Sequence, residues 1–158
     1  MSYPNSDHMM VAWSFAGIRE VTGPKSHPTI LAFIRKYQPN WDDDSSIAWC
    51  SIFMNAIAVS CCLENTEHLR PMVARDWLKV GEHVALDDLK VGDVVIFWRG
   101  TPDGWQGHVT FFLRRNANNL TCFGGNQSNG IQQSDYAVSR FLGGRRLRPL
   151  NQLPSHGI

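Results

Sequence analysis

The sequence predicts an α+β fold in which N-terminal helices pack on a C-terminal antiparallel β-sheet. Two observations carry this prediction. Apolar residues recur at helical spacing through the first half of the chain, whereas short β-branched and aromatic runs, broken by Gly, Pro and Asn, follow Leu89. The 158 residues are enough to bury a hydrophobic core without disulfides, so we expect one domain over residues 1–158.

Four helices are expected in the first half of the chain. Their apolar faces and the flanking prolines and glycines place them at residues 7–20, 28–37, 48–63 and 73–80. The third helix is apolar on nearly all sides, which is typical of a central, buried helix. Strands are expected after it at residues 94–98, 108–114 and 120–123, with weaker strand patterns at residues 131–136 and 141–148.

Composition and charge argue against several classes of protein. Apolar residues make up 43% of the chain and charged residues 18%, as in globular rather than disordered proteins. The net charge of +1 argues against a nucleic-acid partner. A small group of arginines near the C-terminus is interpreted as the solvated face of the last strand, with a site for an anionic ligand or partner as the alternative. No stretch approaches the ~18 apolar residues of a membrane span, so no membrane insertion is expected.

The cysteines do not form the pattern of a disulfide framework. Their arrangement indicates that the protein is synthesised in a reducing cytosol. They stand at Cys50, Cys61, Cys62 and Cys122. A zinc site built from Cys61, Cys62 and His68 is disfavoured because the chain has no C-x-x-C pair. Phosphate-loop and dinucleotide fingerprints are absent as well, so neither a metal nor a cofactor is predicted.

Cys50 is the candidate nucleophile because it falls in the first turn of the third predicted helix. The unpaired N–H groups and the positive end of the helix dipole favour a thiolate there. Three acidic residues, Asp42, Asp43 and Asp44, lie just upstream and would oppose ionisation if they came close to the sulfur. Position alone is equally compatible with an inert core cysteine.

His108 is the candidate general base. It follows Gly107 and is the first residue of an apolar run that predicts a strand. A single histidine in a strand often has only a structural role. The cysteine at a helix start earlier in the chain favours a catalytic role here. Asn126 and Gln127 follow two glycines just past the next strand. A side-chain amide oxygen can orient an imidazole by accepting its N–H, and the alternative is a turn without further function.

Five motifs in this order resemble the NlpC-type cell-wall peptidases, which are papain-like peptidoglycan hydrolases related to the CHAP amidases. The motifs are Trp49–Asn55, Ala74–Gly81, Gly92–Gly100, Gly107–Val109 and Gly124–Asn129. The resemblance extends from about Asp7 to Arg148 and is strongest to a small bacterial and phage subgroup. It implies a papain-like fold and a cysteine amidase or endopeptidase that cleaves an amide bond in the peptide part of peptidoglycan.

The resemblance also implies the roles of the site residues. Cys50 corresponds to the nucleophile and His108 to the general base. The third polar residue falls at Asn126, with Gln127 as the alternate because many relatives have His there. The backbone N–H of Cys50 is expected to bind the oxyanion. Cleft loops at residues 40–46, 66–73 and 100–106 are expected to set which bond is cut, and three tryptophans are candidates to line the cleft: Trp49, Trp98 and Trp105.

Two routes of delivery fit such an enzyme. The first residues lack the basic and apolar regions of a signal peptide, so we expect synthesis in the cytoplasm and action in the periplasm or cell wall after non-classical delivery. A phage endolysin would be released by a holin, whereas an antibacterial effector would be injected by a type VI secretion system and blocked by a cognate immunity protein. The alternatives are a catalytically inactive wall-binding or phage structural module on the same fold, and acyl transfer on another substrate.

Overall fold

The chain forms three α-helices followed by a six-stranded antiparallel sheet within the residues that the computed structural model describes, 6–22 and 25–153. The helices are α1 (Ser6–Trp13), α2 (Pro28–Arg35) and α3 (Cys50–Ser60). The strands are β1 (Glu82–Val84), β2 (Val94–Trp98), β3 (Gly107–Arg115), β4 (Asn119–Gln127), β5 (Gly130–Ala137) and β6 (Phe141–Arg146), in the spatial order β1-β6-β2-β3-β4-β5. The predicted α+β class is confirmed.

The hydrophobic core lies on both faces of the sheet. One face packs against the helices, where Ile52 and Phe53 of α3 belong to the same buried cluster as Val109 and Phe111 of β3. The other face carries a smaller apolar cluster that includes Phe97. The prediction that the third helix is central and buried is confirmed, since most of α3 is inaccessible to solvent and it packs across β3 and β4. None of the described helices is long and apolar enough to cross a membrane.

Polar residues of α3 attach the following segment to the helix. The Ser51 hydroxyl donates to the Pro71 carbonyl over 2.7 Å and accepts from the Trp77 indole over 2.9 Å. The Asn55 side chain donates to the Pro71 carbonyl and accepts from the Thr66 amide, at 2.9 Å each. Because buried polar groups need partners, these bonds compensate the burial of two polar side chains and hold residues 66–77 beside the start of α3.

Several predicted boundaries were wrong for identifiable reasons. The first helix ends at Trp13 rather than near residue 20, because the chain turns through Gly17 (φ +88°) and Arg19 then forms a β-bridge to Gly130. The fourth predicted helix is a 3₁₀ helix, Ala74–Lys79. The three-residue strand β1 was not predicted because the strand with which it pairs, β6, is far away in the sequence. Residues 1–5, which carry the expectation about a signal peptide, lie outside the described residues.

Candidate active site

Cys50 is the first residue of α3, and its side chain is buried at the inner end of a cleft. No side chain of the described residues caps this helix, and its first turn contains no acidic residue. Its unpaired N–H groups therefore remain available to an anion. Burial raises the pKa of the Cys50 thiol, while the backbone N–H of Val109, the charge of Arg99 and the N–H groups of Ser51 and Cys50 itself act to lower the pKa. Burial prevails, so the resting group is a neutral thiol.

The acidic residues upstream of Cys50 bind other groups. Asp44 is fully buried, and its Oδ2 accepts the His27 backbone N–H over 2.7 Å. Asp43 accepts both the amide and the hydroxyl of Ser45, at 2.8 and 2.7 Å. The carboxylates of Asp43 and Asp44 therefore stabilise the loop before α3, and they do not cap the helix.

His108 lies at the start of β3, next to Val109, whose N–H acts on the Cys50 sulfur. The imidazole is 2% exposed. Its Nε2 is 3.1 Å from Gln127 Oε1 and 2.9 Å from Tyr136 Oη, and the Tyr136 ring stacks on it with centroids 4.9 Å apart. The pKa of His108 is lowered to about 4, mainly by burial. The hydrogen bond with Gln127 acts to raise this pKa, and the positive charge of Arg99 acts to lower it. The resting imidazole is therefore neutral at pH 7.

The hydrogen bonds of Gln127 determine the tautomer of His108. The Gln127 Nε2 donates to the carbonyls of Cys122 and Gln132, so the atom facing the histidine must be the oxygen, Oε1. That oxygen also accepts from the Thr110 hydroxyl over 2.8 Å. An acceptor at this point favours a proton on His108 Nε2, with the Tyr136 hydroxyl, 2.9 Å from the same nitrogen, as a second acceptor, and this leaves the lone pair on Nδ1. Nδ1 is buried and has no hydrogen-bond partner among the described residues.

A β-bulge in β4 explains why Gln127 rather than Asn126 faces the imidazole. Gly124 pairs with Gln132 and Gln127 with Gly130, so β4 contains one residue more than β5 between these pairs. In a regular strand, Asn126 would share the face of Gly124, which lies against Thr110 on the His108 side. The extra residue, with Asn126 in the left-handed region at φ 56°, moves this place to Gln127. The residue named as the alternate therefore makes the contact, and Asn126 does not.

Gly125 allows this part of β4 to approach the start of α3. A Cβ atom there would lie 2.5 Å from Trp49 and 2.7 Å from Phe53, closer than real Cβ contacts. Only glycine permits the strand to pass so near to the helix that carries Cys50. The Gly-Gly pair seen in the sequence thus serves close packing as well as the bulge.

The cleft beside Cys50 has a volume of about 370 Å³. Its wall combines apolar side chains from the segment after α3 with the loop between β2 and β3, so two of the three predicted cleft loops contribute. The lining residues are Ala48, Cys50, Met72, Val73, Ala74, Arg99, Trp105, Gln106 and Gly107. Of the three candidate tryptophans, Trp105 lines the cleft, whereas Trp49 is buried in the core and Trp98 packs under Arg140.

Arg75 holds the loop between β2 and β3 in place. Its guanidinium donates to the carbonyls of Thr101, Pro102 and Gln106 over 2.8–3.0 Å. Three charge-assisted bonds from one rigid group fix the loop that presents Trp105 to the cleft.

The structure brings Cys50 close to the strand of His108 but records no hydrogen bond between the thiol and the imidazole within the described residues. Sequence reasoning missed three polar residues of this region: Thr110, Tyr136 and Arg99. Thr110 stands two residues after His108 and so on the same strand face, a signal that alternation could have revealed. Arg99 lies within the Gly92–Gly100 motif, although its position in the cleft depends on the fold. Tyr136 comes from a different strand, and no local signal points to it.

Together these features define an α+β protein with a helix-start cysteine and an oriented, neutral histidine beside an open cleft. A family model described as bacteriophage peptidoglycan hydrolase, Amidase_5, matches residues 29–145. This match spans most of the chain, and the chain therefore belongs to this family of phage cell-wall hydrolases. A comparison with curated protein sequences finds no match.

Proposed function

We propose that the protein is a cysteine amidase or endopeptidase that cleaves an amide bond in the peptide part of peptidoglycan. The observation that carries the proposal is the position of His108: its buried Nδ1 has no partner among the described residues, and it directly precedes Val109, whose N–H acts on the Cys50 thiol beside the open cleft. Membership of a peptidoglycan hydrolase family supports the substrate. The motif order supports a papain-like arrangement of the NlpC and CHAP type.

Acylation begins with proton transfer. His108 Nδ1 takes the proton of the Cys50 thiol as the sulfur attacks the amide carbonyl, which forms an S–C bond and a tetrahedral oxyanion. The two groups share no hydrogen bond among the described residues of the free enzyme, so the proposal requires that they meet when substrate fills the cleft. The oxyanion is stabilised by unpaired backbone N–H groups at the start of α3, and the main donor is the N–H of Cys50.

The imidazolium then donates its proton to the leaving nitrogen, the C–N bond breaks, and a thioester remains on Cys50. Neutral His108 next removes a proton from water, which attacks the thioester and releases the carboxylic acid product and the thiol. Gln127 acts as a positioning residue, since its Oε1 holds the Nε2–H through both steps. Tyr136 supports the ring from one side.

The phage family favours an endolysin that reaches the wall through a holin over an effector that needs an immunity protein. In this scheme the protein is made in the cytoplasm and acts on the cell wall after release. Lysis of intact cells that produce the protein only when a holin is co-expressed would support this route, whereas lysis without a holin would contradict it.

The decisive experiment compares the wild type, Cys50→Ala and Cys122→Ala on purified peptidoglycan, with products identified by mass spectrometry. Cys122 is also buried, and burial raises its pKa as well, so it is a matched control for loss of a core thiol. We expect Cys50→Ala to lose at least about 10³-fold in rate and Cys122→Ala to keep defined fragment release. Equal turnover by wild type and Cys50→Ala would refute the proposal. Binding without fragment release by folded wild type would instead indicate a wall-binding module.

A further inference from the structure

Arg99 is the one charged side chain among the described residues that line the cleft. It follows β2 directly, is exposed, and forms no hydrogen bond or ion pair through its guanidinium with any described residue. Arg75, by contrast, uses its guanidinium on three carbonyls of the same loop. The described lining residues offer no carboxylate to Arg99, so its charge is open to an anion that enters the cleft.

The charge of Arg99 reaches the reacting groups. It acts to lower the pKa of both the Cys50 thiol and the His108 imidazolium. The backbone of Arg99 is fixed as well, because its N–H donates to the Gln106 carbonyl over 3.2 Å within the loop held by Arg75. An unpaired cation on a fixed backbone, open to a cleft of ligand size, is suited to bind an anion beside the scissile bond.

We propose that Arg99 binds a free carboxylate of the substrate peptide next to the amide that is cleaved. This inference rests on the proposed function and names its substrate class. Peptides with a γ-linked glutamyl residue, or with a diamino acid that keeps one carboxylate, carry such a group beside an amide bond. Amidation of that carboxylate removes the negative charge, so the cleft should select the free acid over its carboxamide.

The first test measures kcat/KM on two synthetic wall peptides that differ only in carboxylate or carboxamide at the residue flanking the cleaved bond. We expect the wild type to prefer the carboxylate by about 10- to 100-fold, as for a hydrogen bond to a charged group. Arg99→Gln should bring this ratio close to one. The matched control is Arg114→Gln, which removes the same charge near the far end of β3 and should keep the wild-type ratio.

The second test does not need wall cleavage. Alkylation of Cys50 by anionic iodoacetate is compared with alkylation by neutral iodoacetamide, with the exposed Cys62 as the internal reference. Arg99→Gln should lower the iodoacetate-to-iodoacetamide rate ratio at Cys50 about threefold or more, and the ratio at Cys62 should not move. An unchanged ratio at Cys50, or an unchanged carboxylate preference, would overturn the role of Arg99. Absence of any peptide cleavage with the expected alkylation change would refute only the proposed function.

Discussion

Two buried histidines, His8 and His108, have nearly the same local chemistry. Each is almost completely buried, each uses Nε2 in a hydrogen bond, and each has a buried Nδ1 without a partner among the described residues. Burial lowers the pKa of both imidazoles. Burial, tautomer and pKa therefore do not by themselves identify a catalytic histidine.

The surroundings of the two rings differ. The Nε2 of His8 is 2.9 Å from the Gly92 carbonyl, and the ring packs against Phe111, so it fastens α1 to the turn before β2. The charges that act on His8 are the carboxylates of Asp93 and Asp7, which raise its pKa against burial. His108 instead experiences the cation of Arg99 and precedes the residue whose N–H acts on a thiol. What distinguishes the catalytic candidate is a neighbouring nucleophile in an open cleft.

The largest difference between the two histidines is expected in the activity of their variants. His108→Gln and His8→Gln each replace the ring by an amide that can still donate at the Nε2 position, but neither variant keeps a base. We expect His108→Gln to lower kcat/KM for peptidoglycan fragments by about 10²- to 10⁴-fold, the usual contribution of a general base. His8→Gln should stay close to the wild-type rate while its melting temperature falls. Comparable activity losses in both folded variants would contradict the comparison.

Gln127 and Asn126 offer the next largest contrast. Gln127→Leu removes the acceptor that holds the Nε2–H of His108, and a misplaced base costs about 10²-fold. We expect this loss in kcat, with little change in KM, because the substrate cleft is not lined by Gln127. Asn126→Gly fits the left-handed φ at that position and should retain most of the activity. If Asn126→Gly were the more damaging variant, the assignment of Gln127 as the positioning residue would be wrong.

The last contrast concerns stability in acid, where both histidines should behave alike. The pKa of His108 is about 4 in the folded chain against an ordinary value of 6.5, so between these values the unfolded chain binds the additional proton. The stabilising contribution of neutral His108 is fully present above pH 6.5, and it is lost as the pH falls toward 4. His108 alone should account for a loss on the order of 3 kcal/mol in the free energy of unfolding.

Urea denaturation of the wild type and the two His→Gln variants at several pH values between neutrality and the folded pKa of His108 checks this. Each variant should lose less stability on acidification than the wild type, since the pKa of His8 is lowered in the same direction. Parallel declines in all three proteins would show that other groups cause the acid sensitivity.

Several features of the fold and the site were predictable because their signals are local. Helix α3 begins at Cys50, within the predicted helix at residues 48–63, and β2 occupies the predicted residues, Val94–Trp98. His108 was recognised from its place at the start of a strand, where β3 indeed begins one residue earlier. The catalytic roles of Cys50 and His108 stay predictions, and the experiments above are their test.

The sequence by itself determined the α+β class, the succession of helices before strands and the candidate pair Cys50 and His108, because periodicity and helix-end signals depend on neighbouring residues. Only the tertiary structure decided which amide orients the imidazole, since the bulge that selects Gln127 over Asn126 arises from pairing with β5. The cleft position of Arg99 likewise depends on a loop held by Arg75, a residue from another segment. Such choices follow from contacts between distant residues, which a local pattern does not contain.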